Sequence, residues 1–338
     1  MSRNVRIVLI VGAAAAALVA TACSGDGGDD GDGGDGRGAG GRDVAAGPTL
    51  VDREASIPAG AEKATPETDE HPPVLHSDEW EQPAPVPGIS TAGAEDAPFV
   101  TADGAELWFF FTPDLSVPPE EQLLDGATGI YVATRAPDGR WGEPQRVVLS
   151  EGPSLEGCPT VRGGELWFCT VREGYATPTW FRARPVDGEW DWEPIGDELD
   201  GLGPDASLVG ELHVTGGELV FDSSRPGGAG GRDLWVAERD GEGWAEPTAV
   251  TAVNSAADES RPFVTADGSE LWFTRDVGVG PEVWRSRRVG RDWGTPELVV
   301  SSLAGEPTVD PEGNLYFVHH HLQGDTLVEA DIYVATRR

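Results

Sequence analysis

A short segment, Glu-Leu-(Trp/Val/Tyr)-Phe, recurs five times in this chain. The copies are Glu106–Phe109, Glu165–Phe168, Glu218–Phe221, Glu270–Phe273 and, with Asn in place of Glu, Asn314–Phe317. A valine precedes each copy across a Gly-containing turn: Val100, Val161, Val214, Val264 and Val309. Four copies are followed by a Trp shortly before a Pro: Trp141 and Pro144, Trp190 and Pro194, Trp244 and Pro247, Trp293 and Pro296. In copies two to four the step from the valine to the Trp is nearly constant: Val161 to Trp190, Val214 to Trp244 and Val264 to Trp293. The same step taken from Val309 arrives at Arg338, the last residue. The missing signature stands at the other end, as Trp80-Glu-Gln-Pro83. Trp80 precedes Val100 by the same interval that separates Trp141 from Val161 and Trp244 from Val264. Permuting one repeat in this way is what a closed ring needs. An open stack of repeats would expose a strand edge at each end, whereas a β-propeller hides its seam by completing the last blade with an N-terminal strand. The expected fold is therefore all-β: a five-bladed β-propeller of four-stranded antiparallel blades, the last closed by a strand around Trp80.

Copy four gives the pattern of one blade. Arg261–Thr265 reads as the inner strand, Ala266–Ser269 as a turn with Gly268 free to take a positive φ, and Glu270–Thr274 as the second strand. Glu282–Ser286 is the third strand and Trp293–Val300 the outer one, where Pro296 is tolerated at an edge. Apolar residues face both sides, as blades packed between two neighbours require. Outside the apolar run near the start of the chain, no stretch of helical period reaches three turns.

Aromatic residues bound the domain. All twelve Trp lie at or after Trp80, and residues 24–75 contain no Trp, Phe or Tyr. Residues 23–75, Gly- and Asp-rich at their start, are expected to be a disordered linker because they have too little to bury to offset their ordering entropy. Residues 76–338 form the expected propeller. They carry 47 acids against 18 bases within a chain of net charge −35. Nucleic acid asks for basic patches and is excluded as a partner; solubility, or attraction of basic partners, fits the charge.

Residues 1–22 read as a removable leader. Arg3 and Arg6 precede an apolar run from Ile7 to Ala20, too short and too rich in small residues for a membrane span. Ala20-Thr21-Ala22-Cys23 resembles the lipobox of bacterial lipoproteins, with Ala20 where that family most often has Leu. The resemblance implies lipidation of Cys23 and a lipid anchor on the extracytoplasmic face of the bacterial cell membrane. The Gly/Asp-rich tract that follows suits a flexible spacer. Two cysteines remain, Cys158 and Cys169. If Gly163-Gly164 is a two-residue turn, Arg162 faces Glu165 and Cys158 comes opposite Cys169. A cross-strand disulfide or two buried thiols would both fit.

Ser223–Val236, following Leu219-Val-Phe-Asp222, resembles the TolB-type, WD40-like propeller repeat of bacterial envelope proteins. The Pro-Phe-Val-Thr-Ala-Asp-Gly runs at 98–104 and 262–268 are similar to that family's Pro-x-x-Ser-Pro-Asp-Gly turn, with Ala102 and Ala266 in place of its second Pro. The resemblance covers roughly residues 78–338 and implies the fold. It implies little about function, since such repeats serve unrelated tasks.

The strongest positional pattern is acidic. Glu95, Asp96, Glu156, Asp258, Glu259 and Glu306 lie one to four residues before a Pro taken to open an inner strand: Pro98, Pro159, Pro262 and Pro307. In a propeller that point lies at the mouth of the central channel. The acids either terminate strands in solvent or form a ring for a ligand, with Ca²⁺ or a basic side chain as its natural occupant. Arg261 is an internal alternative neutraliser. In copy three Val209 holds the register of Glu259, with Asp205 upstream. His319 and His321 would share one face of a strand continuing Tyr316-Phe-Val318. No Cys or carboxylate lies near them in sequence, so no metal site is assigned. There is no Gly-x-Ser-x-Gly elbow, and no catalytic residues are assigned. The expected function is a monomeric, surface-tethered module that binds or scaffolds a protein, a glycan or a small cationic ligand. A glycoside hydrolase, which would draw on Asp96, Glu156 or Glu259, and a purely structural envelope protein are the alternatives.

Overall fold

In a computed structural model, residues 51–338 are described apart from 150–153, 173–178, 188, 196–198, 200–201, 203–208 and 242. The leader, Cys23 and the tract up to residue 50 lie outside the described residues, as does Asp205. The described chain is nearly all β. Its helices, Arg53–Ser56 and Pro119–Gln122, are single turns, and no described helix is long and apolar enough to cross a membrane.

Each sequence copy forms one antiparallel run of strands. Copy one comprises Ala94–Val100, Glu106–Thr112, Gly129–Thr134 and Gln145–Arg146. Copy two comprises Ser154–Arg162, Glu165–Arg172, Thr179–Val186 and Glu189–Pro194. Copy three comprises Leu212–Val214, Glu218–Ser223, Asp233–Asp240 and Thr248–Ala249. Copy four comprises Asp258–Val264, Glu270–Asp276, Pro281–Val289 and Glu297–Ser301. Copy five has Ala304–Val309, Leu315–Gln323 and Thr326–Ala335, and its fourth strand comes from the N-terminal side. There Ala84 and Pro85 pair with Val334 and Tyr333, and Trp80 bridges to Arg337. One parallel pairing, Ala330 with Ala94, joins copies five and one into a single eight-stranded sheet. Among the described residues no sheet closes on itself.

The repeated motif has a local physical basis. In Glu-Leu-Trp-Phe the Glu and the Trp point to the same side of the strand. The Glu106 carboxylate accepts from the Trp108 indole N–H at 2.9 Å, and Glu270 does the same for Trp272 at 3.0 Å. A buried indole N–H is thereby satisfied within its own strand. The preceding turn is held by its own side chains. Asp103 accepts from the Thr101 hydroxyl and the Ala105 N–H, and Asp267 accepts from Thr265 and Ser269 in the same way.

The Trp-Pro signature joins neighbouring copies. Trp80, on the strand completing copy five, meets Trp272 of copy four edge to face at 5.7 Å. Trp141 of copy one meets Tyr316 of copy five at 6.1 Å, and Trp190 of copy two meets Trp108 of copy one at 6.2 Å. Trp244 of copy three shares an apolar cluster with Trp167 of copy two, and Trp293 of copy four shares one with Val220 of copy three. In the three ring contacts the partner is the third residue of the recurring Glu-Leu-x-Phe segment in the preceding copy. At those three seams the two sequence signatures are halves of one packing contact.

The segment before Trp80 departs from the expected free linker. Val74 and Leu75 pair with Ser301 and Val300, adding a strand to the outer edge of copy four. Arg53, 4% exposed, donates to Glu95, Gly88 and Ile89 and lies over the rings of Phe109, Phe111 and Tyr131. Lys63 contacts Glu329 and Asp331, and Asp69 contacts His319. Composition suggested a linker because residues 51–75 lack aromatic rings. They are held instead by charged side chains inserted into polar sites of the repeat body, a device invisible to an apolar count.

Candidate functional site at the inner-strand bulges

The first strands of copies one, two, four and five share an irregularity. Their pairing register shifts between Asp96 and Phe99, Gly157 and Thr160, Ser260 and Phe263, and Gly305 and Thr308. At each shift the residue before the Pro has a left-handed backbone: Ala97 (φ 50°), Cys158 (φ 54°), Arg261 (φ 52°) and Glu306 (φ 57°). Pro has no N–H to give to a ladder, and a bulge lets the strand continue past it. This corrects the sequence reading in one respect. The prolines do not open the inner strands, which begin at Ala94, Ser154, Asp258 and Ala304. The acids upstream of them are strand residues, not strand terminators.

The bulges bring the four copies together. Ala97, Cys158, Arg261 and Glu306, with their prolines and with Glu211–His213 of copy three, line one cavity of about 50 Å³. That volume holds only a water or two. Arg261 fills the centre. It is 7% exposed; its Nε donates to Glu211 at 2.7 Å, and its guanidinium lies 2.5 Å from the Glu306 carboxylate. Glu306 accepts from the Ala97 N–H at 2.8 Å, which ties copy five to copy one. Asp222 accepts from the backbone N–H groups of Glu211 and Arg261 and pairs with Arg232.

Burial pushes Glu306 well above the ordinary carboxyl range; Arg261 pulls it back, while Asp96 and Glu211 add to the rise. The Asp96 and Glu306 carboxyls are neighbours here, with ligand atoms within 4.8 Å of each other and of a His320 ring nitrogen. Glu211 is raised for the same first reason, burial, again against the pull of Arg261. His320 projects into the same cluster. Its Nδ1 donates to the Leu303 carbonyl at 3.1 Å, and burial lowers its pKa to about 4, leaving a neutral ring. His213 packs between Phe99 and Phe263 and is likewise lowered by burial to about 4.

The six acids singled out by sequence do not form one ring. Glu306 and Asp96 reach the cluster around Arg261. Glu95 and Glu259 form a matched pair elsewhere. Glu95 accepts from the Thr91 N–H and hydroxyl and pairs with Arg53, and Glu259 accepts from the Ser255 N–H and hydroxyl and pairs with Arg275. Each pins the loop leading into its strand. Burial raises Glu95 to about 8, against the opposing charge of Arg53. Asp258 is exposed and accepts from the Arg232 N–H, and Glu156 is buried in its strand. Glu211, the carboxylate that copy three contributes, went unnoticed because it precedes no Pro. The better sequence signal was the residue immediately before each inner Pro, which the bulge turns inward.

Cys158 occupies one of these bulges and is disulfide-bonded to Cys169, with Cα atoms 5.6 Å apart. The bulge makes Gly157, not Cys158, the ladder partner of Cys169. Counting outward from Gly163-Gly164 gave a register one residue off because it assumed an unbroken ladder.

No protein-family model matches the chain, and no curated protein matches it in sequence. Solved structures that resemble it include TolB from Acinetobacter baumannii, at 14% identity over 74% of this chain and 56% of that one, with a TM-score of 0.44. A Bacteroides ovatus GH43B protein, described by its xyloglucan utilisation locus, matches at 12% identity over 75% and 54%, with a TM-score of 0.47. The family 117 glycoside hydrolase Zg3597 from Zobellia galactanivorans matches at 13% identity over 79% and 90%, with a TM-score of 0.44. The chain spans little more than half the length of the first two. All three scores fall below 0.5, too low to carry over shared chemistry.

Proposed function

We propose that this chain is a five-bladed β-propeller, lipid-anchored through Cys23, that serves as a binding or scaffolding module and not as a catalyst. The observation that carries this reading is the position of Arg261 between Glu211 and Glu306, over a cavity of about 50 Å³. Ligand pockets are typically several hundred Å³. Glycosidases set two carboxyls roughly 5 to 9.5 Å apart around the sugar, whereas oxygens of Asp96 and Glu306 lie within 4.8 Å of each other, with Arg261 paired to Glu306. Arg261 takes the place among the carboxylates that the sequence reading reserved for Ca²⁺ or a partner's cation. Recognition then falls to the acidic exterior, which favours a basic partner. Ring closure is supported by the cyclic order of the Trp contacts, in which copy one packs on copy five as copy two packs on copy one.

Three measurements test this. Aryl glycosides incubated with the full exported protein should show no turnover above buffer; hydrolysis that disappears in Asp96→Asn would establish a catalyst instead. Calorimetry with basic peptides should show binding that weakens as salt rises, and no heat at low salt would remove the basic-partner reading. Cys23→Ser should release the folded protein from the membrane fraction, and unchanged retention would remove the anchor.

A further inference from the structure

The strand Leu315–Gln323 runs straight through the three consecutive histidines. Its neighbour pairs Asp331 with His319 and Glu329 with His321. His319 and His321 therefore share one side of the strand, and His320 faces the other, where the Arg261 cluster lies. The two rings are 4.7 Å apart, and both side chains are almost fully buried. The carboxylates that looked absent in sequence come from elsewhere. Asp331 and Glu329 arrive on the paired strand. Asp69, remote from His319 in sequence, arrives on the N-terminal segment with its side chain 3% exposed.

The hydrogen bonds fix the tautomer of His321. Its Nε2 lies 3.0 Å from Asp331 Oδ2, which also receives the Lys63 ammonium. A carboxylate oxygen engaged in this way accepts, so Nε2 carries the hydrogen. In a neutral ring Nδ1 is then a bare lone pair. That atom is buried, has no hydrogen-bond partner, and stands 3.8 Å from Asp69 Oδ2. Two acceptors face each other across a gap, and the same Asp69 oxygen lies 2.7 Å from His319 Nε2. The charges are unbalanced as well. Asp69, Asp331 and Glu329, when ionised, face one ammonium, that of Lys63.

We propose that His321 Nδ1, His319 Nε2 and Asp69 Oδ2 form a site for one divalent transition-metal ion, of which Zn²⁺ suits two imidazoles and a carboxylate. Ligand bonds of about 2.0–2.2 Å place tetrahedral partners roughly 3.3 Å apart, between the two separations seen here. Asp331 holds the far nitrogen of His321, the outer-sphere carboxylate that usually orients a metal-bound imidazole. A dication balances the remaining pair of negative charges, while Lys63 stays with Glu329 and Asp331. The ion joins Asp69 of the N-terminal segment to the last repeat, so it acts as a clasp beside the seam where residues 79–86 complete copy five. Bound metal would then stabilise the fold by mass action.

The test uses the full chain, stripped with a chelator and then titrated with Zn²⁺, and separately with Co²⁺, whose visible absorption reports tetrahedral N/O ligation. Wild type should take up one equivalent and melt at a higher temperature when loaded. His319→Gln, His321→Gln and Asp69→Asn should each weaken uptake by at least about 100-fold, and Asp331→Asn by about 10–100-fold. His71→Gln, at an exposed histidine two residues from Asp69, should leave uptake unchanged. Stripped wild type that binds no metal would overturn the site whatever the variants do. So would uptake that survives in the His319→Gln/His321→Gln double variant, or uptake lost in His71→Gln. If wild type binds nothing and NMR shows His321 as an imidazolium at neutral pH, protons balance the cluster and the proposal fails.

Discussion

Trp80→Ala removes the side chain that ties the N-terminal strand to copies four and five. Trp80 is 1% exposed although the strand it joins lies at the opposite end of the chain. Its ring meets Trp272 at 5.7 Å, and the guanidiniums of Arg337 and Arg285 stand 4.7 and 5.0 Å from its centre. Its indole N–H donates to the Gly313 carbonyl at 2.9 Å. Truncating a buried Trp to Ala costs about 3–5 kcal/mol. The edge-to-face contact and the two cation–π contacts, each worth roughly 0.5–1.5 kcal/mol, place this site near the top of that range. Trp141 fills the equivalent place between copies one and five but is only partly buried and has one arginine, Arg135, over its ring. Trp141→Ala should therefore cost less, about 2 kcal/mol. Urea unfolding followed by far-UV circular dichroism would measure both. The double variant Trp80→Ala/Trp272→Ala should fall short of additivity by roughly 0.5–3 kcal/mol, since the two rings touch. A loss below about 1 kcal/mol for Trp80→Ala, well under the core-truncation range, or strict additivity with Trp272→Ala, would mean that the N-terminal strand merely lies on the surface.

Deleting residues 51–70 withdraws Arg53 from buried Glu95, Lys63 from Glu329 and Asp331, and Asp69 from His319; chemical denaturation should show a loss of at least about 3 kcal/mol, where a free tether would give none. Glu79 is held down to about 2 by its hydrogen bond to Arg285, with Arg337 adding to the pull. Its folded pKa lies below the unfolded value, so its contribution is complete above about pH 4.5 and disappears as pH falls toward 2; Glu79→Gln should be less stable than wild type at pH 7, with the gap narrowing in acid, and a constant gap would refute the pairing. Glu306 and Glu211 have the opposite sign. Their folded values are raised by burial, so their contribution is complete below about pH 4.3 and is lost as pH climbs through the folded values. Glu306→Gln should flatten the decline in urea midpoint as pH rises above about 4.3, and an unchanged slope would show that the Glu306 carboxyl is not raised by burial.

The sequence by itself determined the repeat, its number of copies and the strand that completes the last one. The Glu-Leu-x-Phe and Trp-Pro spacings recur because each copy must present the same two faces to its neighbours, and that demand falls on residues at fixed distances along the chain. Trp80 was legible for the same reason: a missing periodic element leaves a countable gap. The interior chemistry was not legible, because it is assembled across copies. The bulge before each inner Pro turns Ala97, Cys158, Arg261 and Glu306 inward, and the backbone shift that does so leaves no periodic trace. It displaced the register of Cys158 and separated Glu306, immediately before its Pro, from Glu95 and Glu259, three residues before theirs. Glu211 and the carboxylates around His319 and His321 became neighbours only through pairings between distant parts of the chain. Asp69, Lys63 and Arg53 sit in a segment without aromatic rings, where an apolar count sees nothing to bury. Tertiary structure decided their role because a single charged side chain can be held by a buried partner of opposite charge, and that partner's position is fixed by the fold and not by the sequence around either one.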